Sequence, residues 1–218
     1  MTHPESIAEV RAIAGPRADV CAVRGLNDPA FLVARDRDAA RAAVGLPAEP
    51  PIVLVSGGGW GVGDLAGATG AALAAGAHVV LLCGRNDAAR ERMEARFGPD
   101  ARVTVLGFSD RMPDLLAAAD CLVHSTAGLT VLEAIQRGCP AISYGWGHGH
   151  VRVNNRAFAA HRLAAVASTP AELSVAVRRA LRERRAPDLS FAALPSAAEI
   201  VLERLAAARE DHGVVARS

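Results

Sequence analysis

The chain has 218 residues, a hydrophobic fraction of 51% and a formal net charge of +1. That length suits one domain with additions, or one domain and a fragment of another; the apolar fraction supports a sizeable core, and the near-neutral charge argues against a nucleic-acid binder. All 24 basic residues are arginine, which reads as an Ala- and Arg-rich bias, although single guanidinium groups suit phosphate oxygens bidentately.

In chain order, Pro4 to about Ala14 reads as a helix and Ala18-Asp-Val-Cys-Ala-Val-Arg-Gly25 as a strand. A turn-rich stretch follows to Pro50, with one short helix near Arg37 to Val44. From Pro51 the pattern becomes regular. The apolar runs PIVLVS, AHVVLLCG, RVTVLGF, DCLVHS, PAISYG and RLAAVA alternate with helical stretches, including Asn86 to about Phe97, Pro113 to Ala119 and one near Asn155 to His161. Short β-rich runs separated by helices mean βαβ units, hence a doubly wound α/β fold with a Rossmann-like parallel sheet of about six strands. Thr169-Pro170-Ala171-Glu172 and Ser196 with Glu199 are capping boxes that open the last two helices. After Arg209 the chain is expected to fray, leaving 211–218 as a disordered tail.

The four cysteines, Cys21, Cys83, Cys121 and Cys139, form no C-x-x-C pair, and three sit in or beside apolar runs. Buried thiols in a reducing compartment are expected, not a disulfide framework. No apolar run reaches the ~18 residues that span a bilayer, and no signal peptide is read before Pro4. The expected location is cytoplasmic, with peripheral membrane association left open.

Three motifs carry chemistry. SGGGWGVGD, Ser56 to Asp64, follows the first regular strand and opens a helix; Gly58 and Gly59 would let backbone amides approach an anion there, or the segment is a plain strand-to-helix turn. It is neither a Walker loop nor a good dinucleotide fingerprint, since Arg85 stands where an acid would end the second strand. STAGLTVLEAIQRG, Ser125 to Gly138, is the second. Ser125 and Thr126 can cap its helix, and Gly128 allows a ligand close to the backbone at the positive end of the macrodipole. Glu133 lies in that helix between apolar residues, where a carboxylate needs a partner. A pair of sugar hydroxyls or a salt bridge to Arg137 would serve. The third, YGWGHGHVRVNN, Tyr144 to Asn155, follows the fifth strand and offers His148, His150, Arg152, Asn154 and Asn155 to hydroxyls and phosphate at the ligand-binding edge of the sheet. No acidic or Cys ligand lies near the histidines, so a zinc site is not expected.

The order VLVSGGGWGVGDL … VLLCGRN … VTVLGFSDRMPDLLAAADCLVHSTAGLTVLEAIQRGCPAISY resembles the C-terminal, donor-binding domain of GT-B glycosyltransferases. It is most similar to the group of monogalactosyldiacylglycerol synthase, processive diacylglycerol glucosyltransferase and the lipid I N-acetylglucosaminyltransferase. The resemblance covers about Val20 to Leu181 and is densest from Gly107 to Pro140. It implies two Rossmann-like domains facing a cleft, with the catalytic base in an N-terminal acceptor domain and a nucleotide-sugar donor, UDP-linked, in the C-terminal one. It implies that Phe108 covers the nucleobase, the Ser109 backbone reads its edge and Met112 lines the same pocket. Thr126, Ala127, Gly128, Leu129 and Thr130 would hold the diphosphate, Glu133 the ribose hydroxyls, and His148 to Asn155 the sugar, where relatives carry Gln or Glu followed by Asn. Arg85 or Arg152 would help with the departing diphosphate. No cofactor and no metal are implied. The expected organisation is a remnant αβ unit of the acceptor domain in 1–24, a linker in 25–50 and the donor domain in 51–210.

The reading is thus the donor half of an inverting, metal-independent glycosyltransferase that modifies a lipid or natural product. A GT-B enzyme needs two domains of ~150 residues or more, so the acceptor half is expected elsewhere in a longer protein or on a separate subunit. The rivals are a nucleotide-sugar epimerase of the same architecture and a non-catalytic regulatory module.

Overall fold

The computed structural model describes residues 6–24, 27–126, 128–145, 147, 149–183, 186 and 193–215, excluding the side chains of His150 and 210–215. These fall into two compact units: Val33–Asp188, and Met1–Leu32 with Leu189–Ser218. In chain order the helices are α1 (Ile7–Ala14), α2 (Arg37–Ala43), α3 (Leu65–Ala74), α4 (Asp87–Phe97), α5 (Met112–Ala118), α6 (Leu129–Gln136), α7 (His150–Ala160), α8 (Pro170–Ala180) and α9 (Ala197–Val215).

The larger unit is built on six parallel strands, β1 (Ile52–Ser56), β2 (His78–Leu82), β3 (Val103–Leu106), β4 (Cys121–His124), β5 (Ala141–Tyr144) and β6 (Ala165–Ala167), in the order β3-β2-β1-β4-β5-β6. Ser56 pairs with both Leu82 and His124, Leu82 with Leu106, His124 with Ser143 and Tyr144 with Ala167. The carboxyl ends of all six strands therefore share one edge, and the order reverses between β1 and β4. Val53, Val55, Val79, Leu81 and Val123 pack against Leu65, Ala68 and Ala72 of α3 and Leu173 and Val177 of α8. Their neighbours Ile52, Leu54, Val80 and Leu122 are buried too, while α5 and α6 pack on the sheet at β1 and β5. Burial on both faces is why these strands read as continuous apolar runs. This is the expected Rossmann-like doubly wound fold.

Local chemistry sets the helix starts. Asn86 Oδ1 accepts from the Ala89 amide at 2.9 Å, and Thr169 Oγ1 from the Glu172 amide at 3.2 Å. Glu172 Oε2 reaches back to the Ser168 amide at 2.7 Å, so the box closes one residue earlier than in its usual form.

The stretch expected as a linker is not one throughout. Residues 33–50 belong to the larger unit, where α2 packs on α5 and Arg41 is 2% exposed. Asp120, just before β4, accepts from Arg41 Nη2 at 2.5 Å, Arg37 Nη1 at 2.9 Å and the Ile52 amide at 2.8 Å. This network ties α2 to the amino edge of the sheet.

In the smaller unit the expected strand is absent: residues 18–24 have no ladder partner among the described residues. A strand exists through its pairing, and here the segment instead meets α9, where the Arg24 amide donates to Pro195 O at 2.9 Å and its side chain pairs with Glu199. The Ser196–Glu199 capping box forms in full, at 3.1 and 2.6 Å. The helix it starts continues to Val215, past the point where fraying was expected, and groups with this unit and not with the sheet. Among the described residues no helix is long and apolar enough to cross a membrane.

Candidate functional site

Open α/β sheets bind ligands outside the carboxyl ends of the strands, where the strand order reverses. Two loops meet at that point here, one running from Gly57 to Asp64 after β1 and one from Ser125 to Gly128 after β4. Ser125 Oγ donates to the Val62 carbonyl at 2.5 Å, and the Thr126 side chain lies against Gly58. A third loop, after β2, packs from the other side: the Arg85 amide donates to Gly59 O at 2.8 Å. At Gly84 (φ +60°) an added Cβ would strike the Gly58 and Gly59 backbone.

Beside these loops is a cavity of about 180 Å³ lined by Ser56, Gly58, Gly59, Leu82, Gly84, Gly107, Phe108, Ser109, Met112 and Thr130. Six of the residues singled out in the sequence thus surround one space. Phe108 is 55% exposed at this cavity. The Arg85 guanidinium lies over that ring at 3.7 Å. Arg85 thus lies over Phe108, with Nη1 3.9 Å from where a Cβ on Gly59 would stand. Ser109 Oγ accepts from the Arg111 amide at 3.1 Å, which shapes the turn before α5.

The N-terminus of α6 differs from expectation. Gly128 is the N-cap, and no side chain caps it. Ser125 Oγ makes no cap bond to this helix; it donates instead to the β1 loop. Leu129 and Thr130 form the first turn, and Glu133 stands half-buried in the next. Arg137 donates to the Val33 carbonyl. Ala127 and His148 lie outside the described residues.

The segment after β5 forms α7, with His150 as its first residue and Arg152 exposed. Asn154 and Asn155 are half-buried. Asn155 Oδ1 accepts from Ser143 Oγ at 2.7 Å, and Ser143 is 1% exposed. Asn155 thus ties α7 to β5 through its carbonyl oxygen. Arg152, Asn154 and Asn155 are not among the described residues that line the cavity.

Two polar groups that the sequence did not single out lie under the loops. Tyr144 Oη donates to Asp64 Oδ2 at 3.0 Å, while Asp64 Oδ1 caps α3 by accepting from the Gly67 amide at 2.8 Å. Burial and the neighbouring Asp64 push the Tyr144 hydroxyl above its ordinary pKa. His124, at the end of β4, is buried edge-on to Phe158; desolvation lowers its pKa to about 4, so it is neutral at pH 7. Among the described residues no group of three or more His, Cys, Asp or Glu is placed to hold a metal ion. Cys83, Cys121 and Cys139 are buried and their thiols raised by desolvation, whereas Cys21 is exposed.

Comparison with known proteins adds to this geometry. The chain is 27% identical over 132 residues to the processive diacylglycerol beta-glucosyltransferase of Bacillus subtilis (strain 168), covering 58% of this chain and 35% of that protein. It is 37% identical over 120 residues to the UDP-N-acetylglucosamine–N-acetylmuramyl-(pentapeptide) pyrophosphoryl-undecaprenol N-acetylglucosamine transferase of Acidothermus cellulolyticus, covering 52% of this chain and 32% of that protein. It spans about a third of the length of these two curated relatives. Among solved structures, the glycosyltransferase VinC in complex with DTDP superposes with a TM-score of 0.59 at 26% identity, over 89% of this chain and 49% of that one. The family model for glycosyl transferases group 1 matches residues 56–183, more than half of the chain. On that match, and with the sheet order and switch-point loops described above, the chain belongs to the glycosyl transferases group 1 family.

Proposed function

We propose that this chain is the donor-binding half of an inverting, metal-independent glycosyltransferase that takes a nucleoside-diphosphate sugar, UDP-linked, and serves a lipid or natural-product acceptor. The observation that carries the reading is the cavity at the carboxyl edge, with Phe108 exposed at it and two loops joined at the switch point beside it. The base lies on Phe108, with the Ser109 backbone and Met112 at its edge. The diphosphate lies at the start of α6, from Thr126 to Thr130, where backbone amides and the helix dipole favour negative charge. Glu133 accepts from the ribose hydroxyls, and Arg152 and Asn154 on α7 face the sugar with His148 and His150. The names of the relatives support this: one is a UDP-N-acetylglucosamine transferase, and one structure holds DTDP.

The reaction is a single displacement. An acceptor oxygen bonds to the anomeric carbon, the bond from that carbon to the diphosphate oxygen breaks, and the nucleoside diphosphate leaves with its negative charge met by fixed amide dipoles. The acceptor proton passes to a base on the acceptor half, in the same longer protein or on a separate subunit, acting in the cytoplasm or at its membrane surface. Calorimetry with UDP, dTDP and GDP in the presence of EDTA tests the reading. Saturable binding of UDP is expected, with no sugar transfer by this chain alone. No binding at millimolar nucleotide would favour a regulatory module, and conversion of a nucleotide sugar without acceptor would favour an epimerase.

A further inference from the structure

Ser125 is the residue whose placement the nucleotide roles leave unused. Its position between a strand and a helix N-terminus suggests a cap or an anion ligand, yet its hydroxyl donates at 2.5 Å to the carbonyl of Val62, 63 residues earlier in the chain. The next residue, Gly63, has φ +99°, and a Cβ added there would collide with the Ser125 side chain. The two loops therefore approach so closely here, on a residue in the left-handed region, that only glycine fits. The same β1 loop is held at its far end by Tyr144, which donates to Asp64 at 3.0 Å. At its near end Thr126 packs on Gly58. Gly58 and Gly59 in turn form part of the cavity wall. A shift of the Val62 carbonyl would therefore move that wall and the start of the α3 helix together.

Resting on the donor-site reading above, we propose that Ser125 is a positioning residue that pins the β1 loop in the shape that receives the diphosphate of the donor. It touches neither phosphate nor sugar; its hydroxyl is spent on a carbonyl that would otherwise be free to turn toward the anion and repel it. Preorganised dipoles are effective because no reorganisation is needed when charge arrives, so the cost of losing the pin falls on the charged part of the ligand. The nucleoside part, held by the β3 loop, should be indifferent.

The test compares the parent chain with Ser125→Ala by calorimetry against uridine, UMP and UDP, together with amide hydrogen exchange in the absence of any ligand. Ser125→Ala is expected to weaken UDP about tenfold while changing uridine by less than about twofold, in line with ~1.4 kcal/mol per tenfold. Exchange at Val62, Gly63 and Asp64 should rise about tenfold, with β1, β2 and β4 unchanged. Equal losses for uridine and UDP, or faster exchange throughout the sheet, would make Ser125 merely structural and overturn the proposal. So would a β1 loop that exchanges as slowly as in the parent. If the parent binds no nucleotide, the donor-site reading fails on its own, and the exchange arm still decides whether Ser125 pins the loop. Gly63→Ala, which forces the same two loops apart from the other side, is expected to reproduce the exchange pattern.

Discussion

Arg41 and Asp120 form an ion pair at 2.5 Å, 79 residues apart in the chain, with the Arg41 side chain 2% exposed and that of Asp120 10%. The pair is completed by Arg37 and by the Ile52 amide. Removing one partner leaves a buried charge without compensation, which costs about 3–5 kcal/mol. Asp120→Ala is therefore expected to lower the urea midpoint by that equivalent, and Arg41→Met, which keeps most of the volume, to cost less than Asp120→Ala. A loss below ~1 kcal/mol for Asp120→Ala would show that the network contributes little.

Phe108 is exposed and Arg85 lies on its ring. Base stacking on an aromatic side chain is worth ~1–3 kcal/mol by alanine substitution, so Phe108→Ala should weaken UDP by about fivefold or more and uridine by the same factor. An exposed cation–π contact is worth ~0.5–1 kcal/mol. Arg85→Ala is therefore expected to weaken both ligands about two- to fivefold. If it weakened UDP alone, Arg85 would be serving the diphosphate instead of the ring.

His124 gives a pH dependence whose sign can be worked out. Its pKa falls from 6.5 to about 4 on burial. Between those values the unfolded chain binds a proton that the folded chain does not, so stability is full above about pH 6.5 and declines as the pH falls toward 4. The loss over that interval is roughly 3 kcal/mol. Urea unfolding followed from pH 7.5 to 4.5 should show a shallower decline for His124→Gln than for the parent. Parallel curves would exclude this histidine as a source of acid sensitivity.

Glu133 stands one turn into α6. If it accepts from both ribose hydroxyls, Glu133→Gln should weaken UDP about tenfold or more, since hydrogen bonds to a charged group contribute ~1.5–3 kcal/mol. The 2′-deoxy nucleotide should lose less. Equal affinity of the variant and the parent for UDP would remove Glu133 from the site.

The strands and most helix starts were legible because their signals are local. Continuous apolar runs mark a sheet buried on both faces, and Asn86, Thr169 and Ser196 cap helices within three residues of themselves. The cavity was legible in part for a different reason: Gly58, Gly59, Phe108, Ser109, Met112 and Thr130 lie in segments that the strand order must bring to one edge. What stayed hidden depends on partners far along the chain. Ser125 reads as a cap until Val62 is placed beside it. The bond from Ser143 to Asn155, 12 residues on, joins β5 to α7 and has no signal in the sequence. The stretch around Arg41 reads as a linker because it is turn-rich, and only its distant partner Asp120 shows that it is held to the sheet. The segment 18–24 has strand-like residues but forms no ladder among those described.

The strand direction keeps two kinds of chemistry at opposite rims. Asp120 and its arginines sit where β4 begins, while the glycine turns, Phe108 and the start of α6 sit where strands end. Mutational drift can therefore act on the two rims separately. Substitutions in the glycine turns leave the charges that secure the scaffold untouched, and a change among the arginines leaves the wall of the cavity in place.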